Sequence, residues 1–271
     1  MLEGQATTFD HQPPHMLATM RRAKGFVLMI ALALPVAWLY YLRLDDVIGQ
    51  VRDDAWYVLL AKSLATGQGY QLLNAPIAGI LPSYPPTFPF LLSLLLRVLP
   101  ASAEQLLWLK LVSIAAMLAI GAVTYLYLAR FSTLPKHLAV MAGVAMTTMP
   151  AFVFLATSTV MSECVFTLGQ LLTVFLVEKT VKQTERAKEG ATERRSEKAS
   201  LALSHFLSVS PSLRLSFAFP MSLLSLLAAF TFLTRSVAVT LIGAVVLYLL
   251  KVRQRKAAVV FLGITALLLL P

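Results

Sequence analysis

The sequence contains one cysteine and few charged residues, and these two shortages exclude several classes of protein. Cys164 stands alone, so the chain has no internal disulfide, no cysteine-based metal cluster and no redox pair. Charged residues make up 13% of the chain and hydrophobic residues 58%, and the mean hydropathy is +0.76. A soluble domain of 271 residues needs far less apolar surface. The composition therefore predicts an all-α polytopic membrane protein.

Motifs of soluble enzymes are also missing. The sequence has no glycine-rich phosphate loop, no Gly-x-Ser-x-Gly and no His-Glu-x-x-His, and its four histidines lack metal-ligand spacing. We therefore expect no metal ligands in the functional site. The net charge of +10 does not indicate a nucleic-acid partner, because the basic residues cluster in short segments between apolar runs, where they set membrane topology.

The N-terminal basic residues predict an uncleaved signal anchor. Residues 1–25 form a polar tail that contains Arg21, Arg22 and Lys24, and the apolar run 26–42 follows. This pattern predicts a cytoplasmic tail and an exterior position for the residues after the run. A cleavable signal peptide is the alternative, although no good small-x-small site follows the run.

Six further apolar runs predict membrane-spanning helices, which gives about seven spans in the chain. The six runs are 106–129, 138–154, 160–177, 217–233, 237–250 and 257–271. The short run 88–99 lies between prolines and suits an interfacial or re-entrant helix. If this run does not cross the membrane, the later basic segments 130–136, 178–214 and 251–256 are all cytoplasmic, as the positive-inside rule requires.

These runs divide the chain into four parts. They are a cytoplasmic tail (1–25), helices one to four with the exterior loop 43–105 (26–177), a charged cytoplasmic linker (178–216) and helices five to seven (217–271). The linker mixes both signs of charge with few apolar residues, so we expect it to be a solvated helix or a disordered segment.

The aspartates concentrate in the first exterior loop. All five lie within the first 54 residues, and four of them fall in this loop: Asp45, Asp46, Asp53 and Asp54. Asp53 is expected to cap an interfacial helix that begins at Asp54 and ends at Gly67 and Gly69. The simpler alternative is that the acidic pair only caps and solvates this helix.

Aromatic residues on the same helix predict that it lies on the membrane surface. Trp56 and Tyr57 follow the acidic pair, and such aromatics are typical of the boundary between lipid and water.

Three more ionisable residues are predicted at this outer boundary, namely Lys110, Glu163 and Arg235. Ionisable groups in membrane segments cost free energy, and each one is a functional-site hypothesis. For Lys110 and Arg235 the alternative is that the side chain extends to the lipid head groups. Together with Asp53 and Asp54, these residues predict an outward-facing site that combines carboxylates with cations.

The order of the segments carries a resemblance to a known family. After the first span come DDAWYVLLAKSLATGQGY, YPPTFPFLLSLLLRVLP, a lysine-bearing span that ends in YLYLAR, MSECVFTLGQLLTVFLVEK, and LTRSVAVTLIGAVVLYLLKVRQRK. Over roughly residues 25–271 the chain resembles the N-terminal half of the superfamily C (GT-C) glycosyltransferases, especially bacterial relatives of protein O-mannosyltransferases and of the lipid A aminoarabinose transferase. Members of that family continue with further spans, so we expect this sequence to be truncated.

The resemblance implies that a sugar is moved from a polyprenyl-phosphate donor to a hydroxyl of a lipid, glycan or protein, outside the inner membrane. It maps the catalytic carboxylate onto Asp53, with Asp54 beside it, and makes Lys110 and Arg235 the candidates that bind the donor phosphate. Glu163 is an additional polar residue of the site. No cofactor is required, although an acidic pair beside a phosphate can hold Mg²⁺ or Mn²⁺.

Two alternatives to an active transferase remain open. One is a polytopic transporter, whose signature would be inverted repeats and helices broken at mid-membrane. The other is an inactive fragment or scaffold of the glycosyltransferase family.

Overall fold

A computed structural model describes residues 31, 34–74, 83–99, 105–199 and 211–270. The described residues are 81% helical and contain no strand, which confirms the predicted all-α class. The chain divides into two units, residues 1–42 and 43–271. The tail 1–25 and most of the first half of the run 26–42 lie outside the described residues.

The helices of the described ranges are numbered in chain order. They are α1 (34–43), α2 (Arg52–Ala65), α3 (Thr87–Val98), α4 (Gln105–Phe131), α5 (Lys136–Thr148), α6 (Pro150–Thr157), α7 (Glu163–Ala199), α8 (Pro211–Thr234), a 3₁₀ turn (Ser236–Ala238), α9 (Val239–Lys251) and α10 (Arg255–Leu269).

Two of these helices are long and apolar enough to cross a membrane. They are α4, with 27 residues, and the part Glu163–Ala187 of α7. Helices α5 and α6 are each too short to cross alone. They pass the same test together, as a bent pair whose two helices meet at an angle of 49°. Pro150 begins α6 and has no backbone N–H to donate, so the α5 ladder of hydrogen bonds cannot continue through it. The described residues thus contain two candidate spans, or three if the bent pair counts as one.

The seven spans that the sequence predicts are not supported. The runs 217–233, 237–250 and 257–271 do form helices, but the helix Ser236–Lys251 is shorter than 18 residues and α10 has 15. A straight helix needs about 20 residues to cross hydrocarbon. Counting apolar residues misses the backbone breaks at Arg235 and at residues 252–254, which limit the lengths of these two helices. By contrast, the run 88–99 forms the 12-residue α3, which is too short to cross, as predicted.

Small residues bring neighbouring helices into backbone contact. A Cβ atom on Gly143 of α5 would lie 2.7 Å from the carbonyl oxygen of Gly121 on α4. A Cβ atom on Gly169 of α7 would lie 2.4 Å from the Thr231 hydroxyl oxygen on α8. Glycine at such positions is typical of helix pairs in membranes, where close packing replaces the hydrophobic effect as the driving force.

Side-chain contacts between distant segments identify two ends of the helix bundle of residues 43–271. Tyr57 contacts Ser162, and Glu163 contacts Arg235, so we call the end that contains these four residues and Asp53 the site end.

The other end contains the α4–α5 and α9–α10 connections, and we call it the basic end. Tyr248 donates a hydrogen bond to Glu178 over 2.5 Å, and the Lys182 ammonium lies 4.7 Å from the centre of the Phe131 ring. The basic residues at this end include Arg130, Lys136, Lys251 and Arg253.

Helix α7 continues into the predicted linker without a break. It runs for 37 residues from Glu163 to Ala199, so the linker forms a helix at least as far as Ala199, the first of its two predicted alternatives. Residues 200–210 of the linker lie outside the described ranges. The sequence of this part is rich in Glu, Lys, Arg and Ala, which are strong helix formers.

Candidate functional site

The acidic pair opens α2 in a different way from the one the sequence predicts. The helix begins at Arg52, its N-cap is Val51, and no side chain caps it. Asp53 therefore does not cap the helix, and that prediction is wrong. Asp54 is fully buried, and the backbone N–H of Gly49 donates to both of its carboxylate oxygens over 3.0 Å. The Asp54 carboxylate thus links the start of α2 to the preceding loop through these two hydrogen bonds.

The C-terminal end of α2 agrees with the sequence. The helix ends at Ala65, and both Gly67 and Gly69 have a positive φ, as a turn that leaves a helix requires. The Ser63 hydroxyl donates to the Gly69 carbonyl over 2.8 Å and closes the turn.

Asp53 is half-buried and accepts a hydrogen bond from a tyrosine that sequence analysis missed. The Tyr84 hydroxyl donates to Oδ1 of Asp53 over 2.9 Å, and the Tyr70 hydroxyl donates to the Tyr84 carbonyl over 2.6 Å. Burial raises the pKa of Tyr84, and the contact with Asp53 raises it further, so Tyr84 keeps the proton that it donates. Nothing in the short motif Tyr-Pro-Pro indicates this contact.

Tyr57 lies at the centre of the site end. The side chain is buried, so the prediction that it lies at the membrane surface is wrong, and its hydroxyl lies 3.1 Å from the Ser162 hydroxyl oxygen. Burial is the main cause of the raised pKa of Tyr57. The charges of Glu163 and Asp53 raise this pKa further, whereas the hydrogen bond with Ser162 and the charge of Arg235 lower it. Tyr57 also packs against Tyr84, the partner of Asp53, and Ser162 precedes Glu163, so Tyr57 connects the surroundings of Asp53 with those of the Glu163–Arg235 pair.

Glu163 and Arg235 form an ion pair across α7 and the end of α8. Nη1 of Arg235 donates to Oε1 of Glu163, and the two side chains are 37% and 24% exposed respectively. Arg235 has extended backbone between α8 and the 3₁₀ turn, which presents its side chain to the start of α7. Oε2 of Glu163 is buried and has no hydrogen-bond partner within the described ranges.

Lys110 faces the protein interior rather than an open site. It is fully buried on α4, and its ammonium donates to the carbonyl oxygen and Oδ1 of Asp45, each over 2.7 Å, and to the Val47 carbonyl over 2.8 Å. An ammonium has three donors, so these bonds use all of them. This arrangement leaves no donor for a substrate phosphate, which corrects the role that the resemblance implies for Lys110.

Asp45 connects Lys110 with the α6–α7 junction. Burial raises the pKa of Asp45, but hydrogen bonds from Lys110 and Ser158 outweigh it and hold the pKa below its usual range. Ser158 is the C-cap residue that follows α6, four residues before Ser162. The loop of residues 44–49 is thus attached both to α4 and to the segment that leads into α7.

A shallow apolar groove lies near Asp53, at the end of α2 and the start of α3. It has a volume of about 210 Å³ and is lined by Leu64, Tyr70, Pro86, Thr87 and Phe90. Tyr70 contacts both the groove and Tyr84, so the groove is connected to Asp53 through two tyrosines.

Within the described ranges, no three side chains of His, Cys, Asp or Glu are placed to share a metal ion. Comparisons with family models, curated proteins and solved structures find no match for this chain.

Proposed function

We propose that this chain is an integral membrane glycosyltransferase that moves a sugar from a polyprenyl-phosphate donor to an acceptor hydroxyl. The observation that carries the proposal is that Tyr57 connects Asp53 with the Glu163–Arg235 pair. Its ring packs on Tyr84, which donates to Asp53, and its hydroxyl contacts Ser162, the residue before Glu163. Carboxylates and a guanidinium at one end of an apolar helix bundle suit a substrate that is polar at its head and anchored in lipid. The proposal includes kinship with the GT-C glycosyltransferases.

Asp53 is the general base of the proposed reaction. It takes the proton of the acceptor hydroxyl, and the hydroxyl oxygen forms a bond to the anomeric carbon as the bond to the carrier phosphate breaks. Attack from the face opposite the phosphate inverts the anomeric centre. The hydrogen bond from Tyr84 to Oδ1 fixes the orientation of the carboxylate, and Asp53 is exposed enough for an acceptor to approach.

Arg235 is the group that stabilises the departing polyprenyl phosphate. Its planar guanidinium has five N–H donors in an arrangement that matches phosphate oxygens. The ion pair with Glu163 orients the guanidinium before the donor binds, and the 37% exposure of Arg235 lets a phosphate reach it. The unpartnered Oε2 of Glu163 can then accept a hydrogen bond from a sugar hydroxyl.

The apolar groove beside Tyr70 supports a donor that arrives within the bilayer. Its lining contributes apolar side chains from α2 and α3, and it lies next to the tyrosine that holds Tyr84. We propose that the first isoprene units of the carrier lie in this groove, with the phosphate directed towards Arg235.

The membrane orientation is part of the same proposal. The basic end contains Arg130, Lys136, Lys251 and Arg253, and basic residues favour the cytoplasmic side. The site end then faces the exterior of the inner membrane, with the N-terminus in the cytoplasm.

Sugar transfer by the reconstituted chain tests the proposal. Vesicles that contain the protein are mixed with acceptor membranes and radiolabelled polyprenyl-phosphate hexoses or pentoses, with and without Mg²⁺ or Mn²⁺. Released polyprenyl phosphate and labelled glycan, lipid or protein are the expected products. We expect Asp53→Asn to lower the rate by about 100-fold or more, because a neutral amide cannot take the proton.

Asp46→Asn is the matched control, since Asp46 is an exposed acid of the same loop, and its rate should equal that of the wild type. Unchanged transfer by Asp53→Asn would remove Asp53 as the base. The proposed function fails if the wild-type chain releases polyprenyl phosphate from no donor and deletion of the gene leaves cell glycans and glycolipids unchanged.

Transport is the second candidate, and the bent pair of α5 and α6 is the observation that favours it. Helices broken at mid-membrane are typical of secondary transporters, and these two meet at 49°. A transporter would give solute flux into the same vesicles without any change in glycosylation.

A further inference from the structure

We propose that Lys110 is a positioning residue, which holds the loop of residues 44–49 and thereby fixes the Asp53 carboxylate. The loop of residues 44–49 is called the anchor loop below. The effect on turnover rests on the proposed function, whereas the effect on the anchor loop does not.

Lys110 on α4 forms hydrogen bonds to the anchor loop. Lys110 is fully buried, and its three hydrogen bonds all end on Asp45 and Val47, at 2.7, 2.7 and 2.8 Å. A buried ammonium whose donors are all satisfied by one short segment admits only one position of that segment, because any displacement leaves a buried charge without partners. Lys110 therefore selects a single conformation of the anchor loop.

The anchor loop in turn is hydrogen-bonded to the first turn of α2. Gly49 is the last residue of the loop, and its N–H donates to both carboxylate oxygens of Asp54 over 3.0 Å. Gly49 has φ +88°, a conformation that residues other than glycine rarely adopt. Asp54 itself donates from its N–H to the Val51 carbonyl over 3.2 Å. The loop thus sets where the first turn of α2 begins.

Asp53 is the residue directly before Asp54 in that first turn, so the peptide bond between them transmits the position of Asp54 to Asp53. Asp54 is fully buried and cannot reorient freely, so the backbone of Asp53 has a fixed place. Tyr84 then selects the orientation of the carboxylate itself. Lys110 consequently acts on the site from a distance, through backbone position.

The alternative role of Lys110, binding the donor phosphate, makes an opposite kinetic prediction. A phosphate ligand that is lost raises the KM for the donor, whereas a misplaced base lowers kcat. Asp45→Asn separates the two roles as well, because Asp45 belongs to the anchor loop and has no part in phosphate binding.

The experiment compares Lys110→Met, Asp45→Asn and their double variant in the full chain, purified in detergent and reconstituted. Hydrogen exchange of residues 44–57 reports the position of the anchor loop, and steady-state kinetics with a polyprenyl-phosphate sugar report kcat and the donor KM. Lys62→Met is the matched control, since Lys62 is an exposed lysine on α2. Asp45→Asn also serves as the milder variant if Lys110→Met does not insert into the membrane.

We expect faster exchange over residues 44–54 in Lys110→Met and Asp45→Asn, and wild-type exchange in Lys62→Met. In Lys110→Met, kcat should fall by about 100-fold with an unchanged donor KM, the loss that a misplaced catalytic group produces. The double variant should be no slower than Lys110→Met, because both changes break one network.

Wild-type exchange in Lys110→Met would overturn the proposal, and so would an increase in donor KM at constant kcat or additive losses in the double variant. If the wild-type chain transfers no sugar and deletion of the gene leaves glycans and glycolipids unchanged, the proposed function fails alone. Faster exchange in the two single variants would still support the role of Lys110 in holding the anchor loop.

Discussion

The hydroxyl oxygens of Tyr57 and Ser162 lie 3.1 Å apart in the protein interior and join α2 to the segment that precedes α7. The contact links residues that are 105 positions apart in the sequence. It also places α2, which carries Asp53, beside Glu163, the first residue of α7. This single contact therefore connects the acidic pair with the ion pair of the site end.

Removing that contact should destabilise the chain. Tyr57→Phe keeps the buried ring and its edge-to-face contacts with Tyr84 and Phe88, but leaves Ser162 without this partner. A lost buried hydrogen bond costs about 1 kcal/mol of unfolding free energy, and more if the remaining group stays unsatisfied. Thermal unfolding in detergent measures the loss. Tyr41→Phe, at an exposed tyrosine, is the control and should melt as the wild type does.

The ion pair of the site end gives a test of the proposed phosphate contact. Arg235→Met should raise the KM for the sugar donor and lower kcat, so that kcat/KM falls by about 100-fold or more. The reason is that the departing phosphate loses the charged group that hydrogen-bonds to it. Arg235→Lys should recover only part of this, since an ammonium lacks the planar fork. Arg255→Met removes an exposed arginine at the basic end and should leave transfer unchanged. Equal rates for Arg235→Met and Arg255→Met would contradict the assignment.

Tyr84 should affect turnover through the orientation of Asp53. Tyr84→Phe removes the hydroxyl that donates to Oδ1 but keeps the ring packed on Tyr57. We expect kcat to fall by about tenfold with an unchanged donor KM, since the base remains but loses its fixed direction. Steady-state kinetics decide this, and a change confined to KM would argue against an orienting role.

Asp45 should make stability depend on acid pH. Its pKa in the folded chain is below the ordinary value of 3.8, since the bonds from Lys110 and Ser158 outweigh burial. The folded state therefore favours the charged form, and this contribution is present above about pH 4 and disappears as the pH falls through the folded pKa. The difference in melting temperature between the wild type and Asp45→Asn should shrink between pH 5 and pH 3. A difference that is constant over this interval would contradict the prediction.

The contact between α4 and α5 should not tolerate a methyl group. Gly143→Ala would place a Cβ atom 2.7 Å from the Gly121 carbonyl oxygen, so the helices must separate, at a cost of about 1–3 kcal/mol. Gly243→Ala is the matched control, because a Cβ atom at Gly243 of α9 meets nothing within 4 Å. Alanine is the better helix former, so the control should be as stable as the wild type or more stable. Thermal unfolding of both variants measures the difference.

Local chemistry made several features predictable from the sequence. The apolar composition predicts an all-helical chain, and the two glycines after α2 predict its end, because positive φ is readily available to glycine. Lengths of apolar runs predict α4 and the start of α7. They do not predict that α5 and α6 bend at Pro150 or that α9 and α10 are short, since hydropathy is a property of composition and not of backbone continuity.

Features that depend on long-range contacts escaped prediction. Nothing near Lys110 in the sequence indicates that its three donors meet a loop 63 to 65 residues earlier. Tyr84 precedes two prolines and has no sequence pattern that points to Asp53, and Tyr57 is indistinguishable from a surface aromatic. Such contacts depend on how helices pack, and a single sequence contains no measure of that.

The unbroken length of α7 limits how thick the bilayer can be around Glu163. Glu178 and the charged residues beyond it favour water, and 15 residues of helix separate Glu163 from Glu178, a rise of about 22 Å. Bilayer hydrocarbon is about 30 Å thick, so a crossing α7 holds Glu163 below the ordinary level of the head groups. Tilt of the helix would only increase this shortfall. If α7 crosses the membrane with Glu178 at the water boundary, we expect the bilayer to be locally thin beside Glu163 and Arg235, which would bring lipid phosphates to the depth of the ion pair.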